Sequence, residues 1–260
     1  MIVTVPPVVA RAGNSEVRKV TSVRVNRVVA PVAVLVAVVV FGAFGLAYEP
    51  GGKSGFAHAI GWSSWLVSAV LVLAVVGAGV FGAIASGQEY RDGSLALSSL
   101  FTPDRNLLLG AKLAVTGGIS LATVVVMEVF GGAAMLLAGR SKQPVDGGFF
   151  LVLLGVALAV LCWAVIGASA GFLLRSPILA VAAVLGWTIV EPLVWITARA
   201  IGFGGFATIL PVSATVGAIS GGKFAGNVFI APTPAAMVLL VVWTGVAGGG
   251  AWWYFTRRDI

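Results

Sequence analysis

The sequence predicts an all-α membrane protein with six transmembrane helices. Three observations predict it. First, 59% of the 260 residues are hydrophobic and only 10% are charged, whereas a soluble domain carries roughly 25% charged residues. Such a chain cannot cover its outside with polar groups in water, and in a bilayer it need not. Second, six apolar stretches reach the ~20 residues that a rise of ~1.5 Å each requires to cross ~30 Å of hydrocarbon. Third, the basic residues are distributed unevenly between the connections.

The six stretches are 28–48, 62–86, 107–138, 149–174, 178–198 and 235–255. The third is long enough to tilt or to extend past the bilayer. With the N-terminus in the cytoplasm, Arg11, Arg18, Lys19, Arg24, Arg27, Arg91, Arg105, Lys112, Arg175, Arg257 and Arg258 fall inside, and only Lys53, Arg140, Lys142, Arg199 and Lys223 fall outside. The expected topology is therefore multi-pass, in the plasma (inner) membrane, with both termini cytoplasmic. Tyr48, Trp62 and Trp65 at one set of ends, and Tyr90 with Trp252, Trp253 and Tyr254 at the other, match aromatic belts.

Several chemistries are excluded by composition. The net charge of +7 is explained by orientation, so no nucleic acid partner is expected. One cysteine, Cys162, and one histidine, His58, build neither a disulfide framework nor a Cys/His metal site. The N-terminus lacks a basic region before its apolar start, so a cleaved signal peptide is not expected. Ala47 to Ser54 matches a loose phosphate-binding loop. It follows a transmembrane helix rather than a strand and falls outside the cell, so it is rejected as an ATP site.

Residues 1–27 form an N-terminal segment containing Glu16, Lys19 and Arg24. Val20 to Val29 alternates as much as it follows a helical period, which leaves the helical reading of that stretch open. Residues 199–234 are too long for a turn and too broken to span, and read either as a re-entrant pair of short helices or as an ordered outer loop. Gly167-x-x-x-Gly171 and Gly245-x-x-x-Gly249 have the spacing that allows close helix approach.

The connection at 87–106 carries the most information. Leu97, Leu100 and Phe101 lie at helical spacing, and Thr102-Pro103-Asp104 reads as a helix start with Thr102 as N-cap and Pro103 at N1. The run Glu89, Arg91, Gly93, Ser94, Pro103, Arg105 and Lys112 closely resembles the signature of the type-2 ATP-binding-cassette (ABC) exporter permeases. Those begin with an acidic-x-Arg-x-Gly-Ser/Thr segment leading into a short coupling helix. A Pro-x-Arg turn and a Lys at the start of span three follow. The outline of an amphipathic N-terminal segment, six spans, a broken element before span six and a basic C-terminal end is similar as well.

That resemblance implies a single non-catalytic permease domain. It would pair with a dimer of separate ATPase subunits, which hold ATP and magnesium, and with a second permease, identical or related, among membrane lipids. It further implies that Glu89, Arg91, Asp92, Gly93, Leu97, Phe101 and Arg105 couple to the ATPase. No cofactor is expected in this chain.

Two acids lie within spans, Glu128 and Glu191, at similar expected depth, and Pro192 should loosen span five beside Glu191. They are candidates for a substrate pathway or a proton site, against the reading that each only packs. The alternatives to a permease are a self-sufficient proton-coupled secondary transporter using these glutamates, and a membrane enzyme. No internal repeat supports the first, and no nucleophile–base pair or HExxH supports the second.

Overall fold

The computed structural model describes residues 7–47, 56–95, 100, 104–139, 145–222 and 230–257. Among them the chain is helical, in α1 (Pro7–Ser22), α2 (Arg24–Ala47), α3 (Phe56–Arg91), α4 (Arg105–Ala138), α5 (Gly147–Leu174), α6 (Pro177–Ala200), α7 (Gly204–Ala207), α8 (Pro211–Ile219) and α9 (Thr233–Arg257). Six helices are long and apolar enough to cross a membrane, at Asn26–Ala47, Val67–Arg91, Arg105–Ala138, Gly147–Leu174, Pro177–Ala200 and Thr233–Arg257. The protein is an all-α, multi-pass membrane protein. The largest departure from the sequence expectation is at the second span. Its helix continues through Gly87–Arg91, so the first part of the expected connection is the last turn of α3.

The open question at Val20–Val29 is resolved as two helices meeting in an elbow at Val23. A helix end leaves its last carbonyls without intrahelical partners. Here side chains from the next helix take two of them: Asn26 Nδ2 donates to the Val20 carbonyl (3.0 Å) and Arg27 Nε to the Thr21 carbonyl (2.6 Å). The hydroxyls of Thr21 and Ser22 donate to the carbonyls of Val17 and Lys19, the local competition that weakens a helix interior. Ala12, Glu16 and Val20, four apart, form the buried face of α1.

The helix starts are set by short polar caps. Asp104, with extended backbone, accepts from the N–H of Asn106 (2.9 Å) and Leu107 (3.3 Å) at the start of α4. This corrects the expected Thr102 cap: the acid expected inside the first turn is itself the N-cap, because its carboxylate reaches the free N–H groups. Thr102 and Pro103 lie outside the described residues. Asp146 caps α5 through the N–H of Phe149 (3.0 Å), and Ser176 with Pro177 opens α6. Arg175, at φ 52°, makes the tight turn between them.

The core is centred on α3 and α5, joined by α8 and α9, around Val75, Val156, Val160, Trp163, Ala214 and Leu240. A Cβ on Gly167 would overlap the Gly79 carbonyl, and one on Gly171 would come within 2.7 Å of Ser86 Cβ, so this glycine pair is where α3 and α5 touch. The other pair does not pack: a Cβ on Gly245 or Gly249 would meet nothing within 4 Å.

Residues 199–222 take the re-entrant form rather than that of a surface loop. Trp163 Nε1 donates to Thr215 Oγ1 at 2.7 Å, and Trp163 lies sixteen residues, about 24 Å, along α5 from Gly147. Further out, a Cβ on Gly155 would overlap the Ala218 carbonyl, and Gly221 lies against Gly148. α8 therefore starts deep and climbs back out. Thr233 Oγ1 closes the return by donating to the Gly217 carbonyl (2.9 Å) and accepting from the Gly222 N–H (3.0 Å).

Candidate functional site: a ring of charges where three helices meet

α1, α3 and α4 each bring charge to one point. Lys112 Nζ lies 2.7 Å from Glu16 Oε2 and 2.7 Å from Glu89 Oε1. Lys19 Nζ lies 2.5 Å from Glu16 Oε1 and 2.7 Å from Glu89 Oε1. Two cations and two anions alternate, with no net charge. Lys112, Glu16 and Glu89 are buried, and only Lys19 is partly open to solvent. Burying ions is unfavourable unless each is paired and hydrogen-bonded, and the alternation provides that for all four.

Electrostatics holds the two α1 members of the ring charged. Burial alone would push the Glu16 carboxyl up. The adjacent Lys112 and Lys19 ammoniums outweigh it, and its pKa lies below the ordinary 4.5. Burial alone would push Lys19 down, but its bonds to Glu16 and Glu89 leave it above the ordinary 10.5. Glu89 sits in the last turn of α3, where the helix dipole disfavours an anion, and two lysines offset that.

The surroundings of the ring are tied together as well. Arg105 Nη1 donates to the Phe255 carbonyl (3.5 Å), and Trp252 Nε1 donates to Asn106 Oδ1 (2.7 Å), joining α4 to α9. The Arg175 guanidinium sits over the rings of Tyr90 (5.6 Å) and Tyr254 (5.3 Å). Leu95, Leu108, Leu109, Phe172, Ala251 and Phe255 form a small second core beneath. The two chain ends that the structure describes, α1 and the end of α9, thus lie at the same end of the bundle.

The residues expected to face a partner divide into two groups. Arg91 and Asp92 are exposed, and Arg91 Nε lies 3.2 Å from Asp92 Oδ1. Gly93 ends α3 at φ 66°, the left-handed turn that favours glycine. Arg105 contacts α9. Glu89 is turned inward to the ring, so it is engaged within the chain. Leu97 and Phe101 lie outside the described residues, as does most of the loop resembling a phosphate-binding loop.

The two intramembrane acids are not brought together. Glu191, fully buried, accepts four N–H groups: the indoles of Trp187 (2.7 Å) and Trp195 (3.2 Å), one turn either side of it, and the backbone N–H of Val212 (2.9 Å) and Ser213 (2.8 Å). It is the cap of the re-entrant α8, a carboxylate at the positive end of a helix. Glu128 lies on α4, a helix that packs mainly on α2 and α5, while α6 packs on α3 and α5. Its Oε1 is buried with no hydrogen-bond partner. The hydroxyls of Ser86, Thr116 and Ser120 are likewise buried and unpartnered.

Sequence reasoning found the ring's members without their association. Lys19 is separated from Glu89 by 70 residues, and Glu16 from Lys112 by 96. The available signal was that Lys112, at the edge of a span, needs a counter-charge. The role of Glu191 was missed for a similar reason: its acceptors' partners at Val212 and Ser213 are backbone groups, which no residue type announces. No protein-family model matches this chain, and no curated protein matches it in sequence.

Proposed function

We propose that the chain is the membrane-spanning permease subunit of an ABC exporter, with ATP bound and hydrolysed on a separate ATPase subunit and none of the catalysis on this chain. The ring carries this reading. The two motif residues Glu89 and Lys112 are locked to α1 and to each other, so a push on the connection after α3 reaches α1, α3 and α4 together. Arg105 and its neighbours extend that link to α9. A base of this kind suits a protein that receives mechanical work at one end and opens a path at the other. The exposed Arg91–Asp92 pair and the turn at Gly93 then form the face offered to the ATPase, and the excess of Lys and Arg at this end supports a cytoplasmic position for it at the plasma membrane.

The test is purification of the tagged chain from its native membranes in mild detergent, with identification of what remains bound. An ATP-binding-cassette subunit that co-purifies, and is lost in Arg91→Glu while the permease still inserts, is the expected result. A chain recovered alone that moves substrate in vesicles without ATP overturns the reading. That outcome would favour a proton-coupled carrier, for which the unpartnered Glu128 oxygen is the supporting observation.

A further inference from the structure

Between α2, α3 and α4 runs a groove of about 310 Å³. Val20 of α1 and Asn26 line its inner end at the elbow, and it follows α2 to Val36, about 15 Å further. Val29, Val36 and Leu73, which also line it, are exposed, so it opens sideways, between α2 and α3, to the bilayer. A cavity of ~150 Å³ holds one benzene, so a space of 310 Å³ takes about twelve carbons. That is one aliphatic chain and not the pair carried by a phospholipid.

No residue that lines the groove carries a charge, and its polar side chains are Asn26, Ser120 and Thr123. Asn26 Nδ2 donates to the Val20 carbonyl and Thr123 Oγ1 to the Ile119 carbonyl. Ser120 differs: it is only 7% exposed, and its hydroxyl has no hydrogen-bond partner. Elsewhere in the spans the hydroxyls of Ser169, Thr244 and Thr256 each donate to the carbonyl four residues back. Leaving a buried hydroxyl unpaired is unfavourable. Ser120 lies fifteen residues, about 22 Å, along α4 from Arg105, near the middle of that span.

From these features we infer that the groove binds a neutral, single-chain amphiphile dissolved in the bilayer, a long-chain alcohol or its ester. The ligand enters laterally. Its polar end pairs with the Ser120 hydroxyl, and its chain lies along α2 toward Val36 and Met127, covering apolar lining. A charged end is disfavoured, because at mid-span it would need a counter-charge. The lining offers none, and the ring's charges are committed to one another. A wholly apolar molecule would leave Ser120 unpaired, so an alcohol binds better than the alkane of the same length. The inference does not depend on the exporter reading, since occupancy of the groove is measured without an ATPase or transport.

The experiment uses the full chain reconstituted in phosphatidylcholine vesicles with dodecan-1-ol carrying a mid-chain diazirine, irradiated, with the adducts mapped by peptide mass spectrometry. Adducts are expected on groove residues such as Leu73 and Met127, well above those on Val238 and Val246, which are exposed on α9. Unlabelled dodecan-1-ol should protect the groove. Dodecane at the same mole fraction should protect roughly fivefold less, the worth of one hydrogen bond, and dodecanoate at alkaline pH roughly tenfold less or worse. Ser120→Ala should bring dodecan-1-ol down to the level of dodecane and leave dodecane unchanged, a pattern that a merely structural role would not produce. Gly77 lines the groove where an added Cβ meets nothing within 4 Å, so Gly77→Phe fills it and should abolish the groove adducts. Ser120→Ala decides the question if the phenylalanine variant fails to fold. Equal protection of the native chain by dodecane and dodecan-1-ol overturns the inference. So does better protection by dodecanoate, an unchanged preference in Ser120→Ala, labelling no denser in the groove than on α9, or undiminished labelling of a folded Gly77→Phe chain.

Discussion

Lys112→Met should release α1 from the bundle. The ammonium of Lys112 makes two bonds of 2.7 Å to carboxylates that are themselves buried. Removing it leaves Glu16 and Glu89 sharing Lys19 alone, with one uncompensated buried charge. Breaking a buried pair in this way costs about 3–5 kcal/mol, which is a change of roughly 10² to 10⁴ in the docking equilibrium. The readout is a cysteine at Ala12, on the buried face of α1, in a chain whose one native cysteine, Cys162, is replaced by alanine. Docked, Ala12→Cys is protected from a maleimide; undocked, it reacts, and its rate follows the open population when closing is fast. Glu16→Gln combined with Lys112→Met leaves the neutral Lys19–Glu89 pair, which is 2.7 Å apart, intact. The double variant should therefore be less exposed than the two single effects predict, by about 2 kcal/mol or more of coupling. Unchanged labelling in Lys112→Met, or strict additivity in the cycle, would refute the claim that the ring holds α1.

The pH dependence follows from the same groups. The Glu16 pKa is lowered on folding, so its contribution to docking is complete above the ordinary 4.5 and is lost as pH falls through the depressed value; Lys19 is raised, so the alkaline limit lies above 10.5. Spin labels at the exposed Asn14 and Asp92 should hold a fixed separation from mild acid to alkaline pH and spread apart only below about pH 4.5, and spreading near neutrality would contradict the assignment. Glu191→Gln replaces an acceptor of four N–H groups by an amide whose own NH₂ faces donors, and should destabilise the detergent-solubilised protein by about 2–4 kcal/mol, read as a lowered midpoint of thermal unfolding; an unchanged midpoint would remove its capping role. Gly167→Ala, which overlaps the Gly79 carbonyl, should cost about 1–3 kcal/mol, while Gly245→Ala, which meets nothing, should be neutral or stabilising in the same assay.

The sequence made the spans legible because their signal is local. A run of ~20 apolar residues reports itself, and the helix ends agree with the predicted stretches to within a few residues except at α3. The exception is instructive. Gly87 to Arg91 looks like a loop by composition, being polar and led by glycine, yet it is helical because Glu89 finds Lys19 and Lys112 and Tyr90 packs on Phe172. Tertiary partners decided what the local pattern assigned to a connection. The glycine pairs make the same point: both have identical spacing, and only Gly167–Gly171 meets a neighbouring backbone. Glu128 and Glu191 also looked alike in sequence, as single acids in apolar helices. One caps a re-entrant helix and the other has a bare oxygen, a difference set by which helices lie across from them.

The two ends of the bundle bury polar groups by opposite means, and the contrast explains why α1 carries its charges inward. At the re-entrant end, Glu191 is satisfied by fixed donors, two of them backbone N–H groups whose direction the α8 helix determines. That arrangement positions α8 without any second charge. At the α1 end, docking involves long, flexible side chains from three separate helices, and an apolar contact there would be no less stable. It would, however, be poorly specified. α1 exposes Val8, Val9 and Val17 on its other faces, so by apolar surface alone it has several ways to lie. The ring accepts only one: rotating α1 by a residue would take Glu16 from Lys112 and Lys19 from Glu89, halving the contacts each buried charge makes. Charge at this site selects the register in which α1 meets α3 and α4, and movement of any one of the three helices is then felt by the other two.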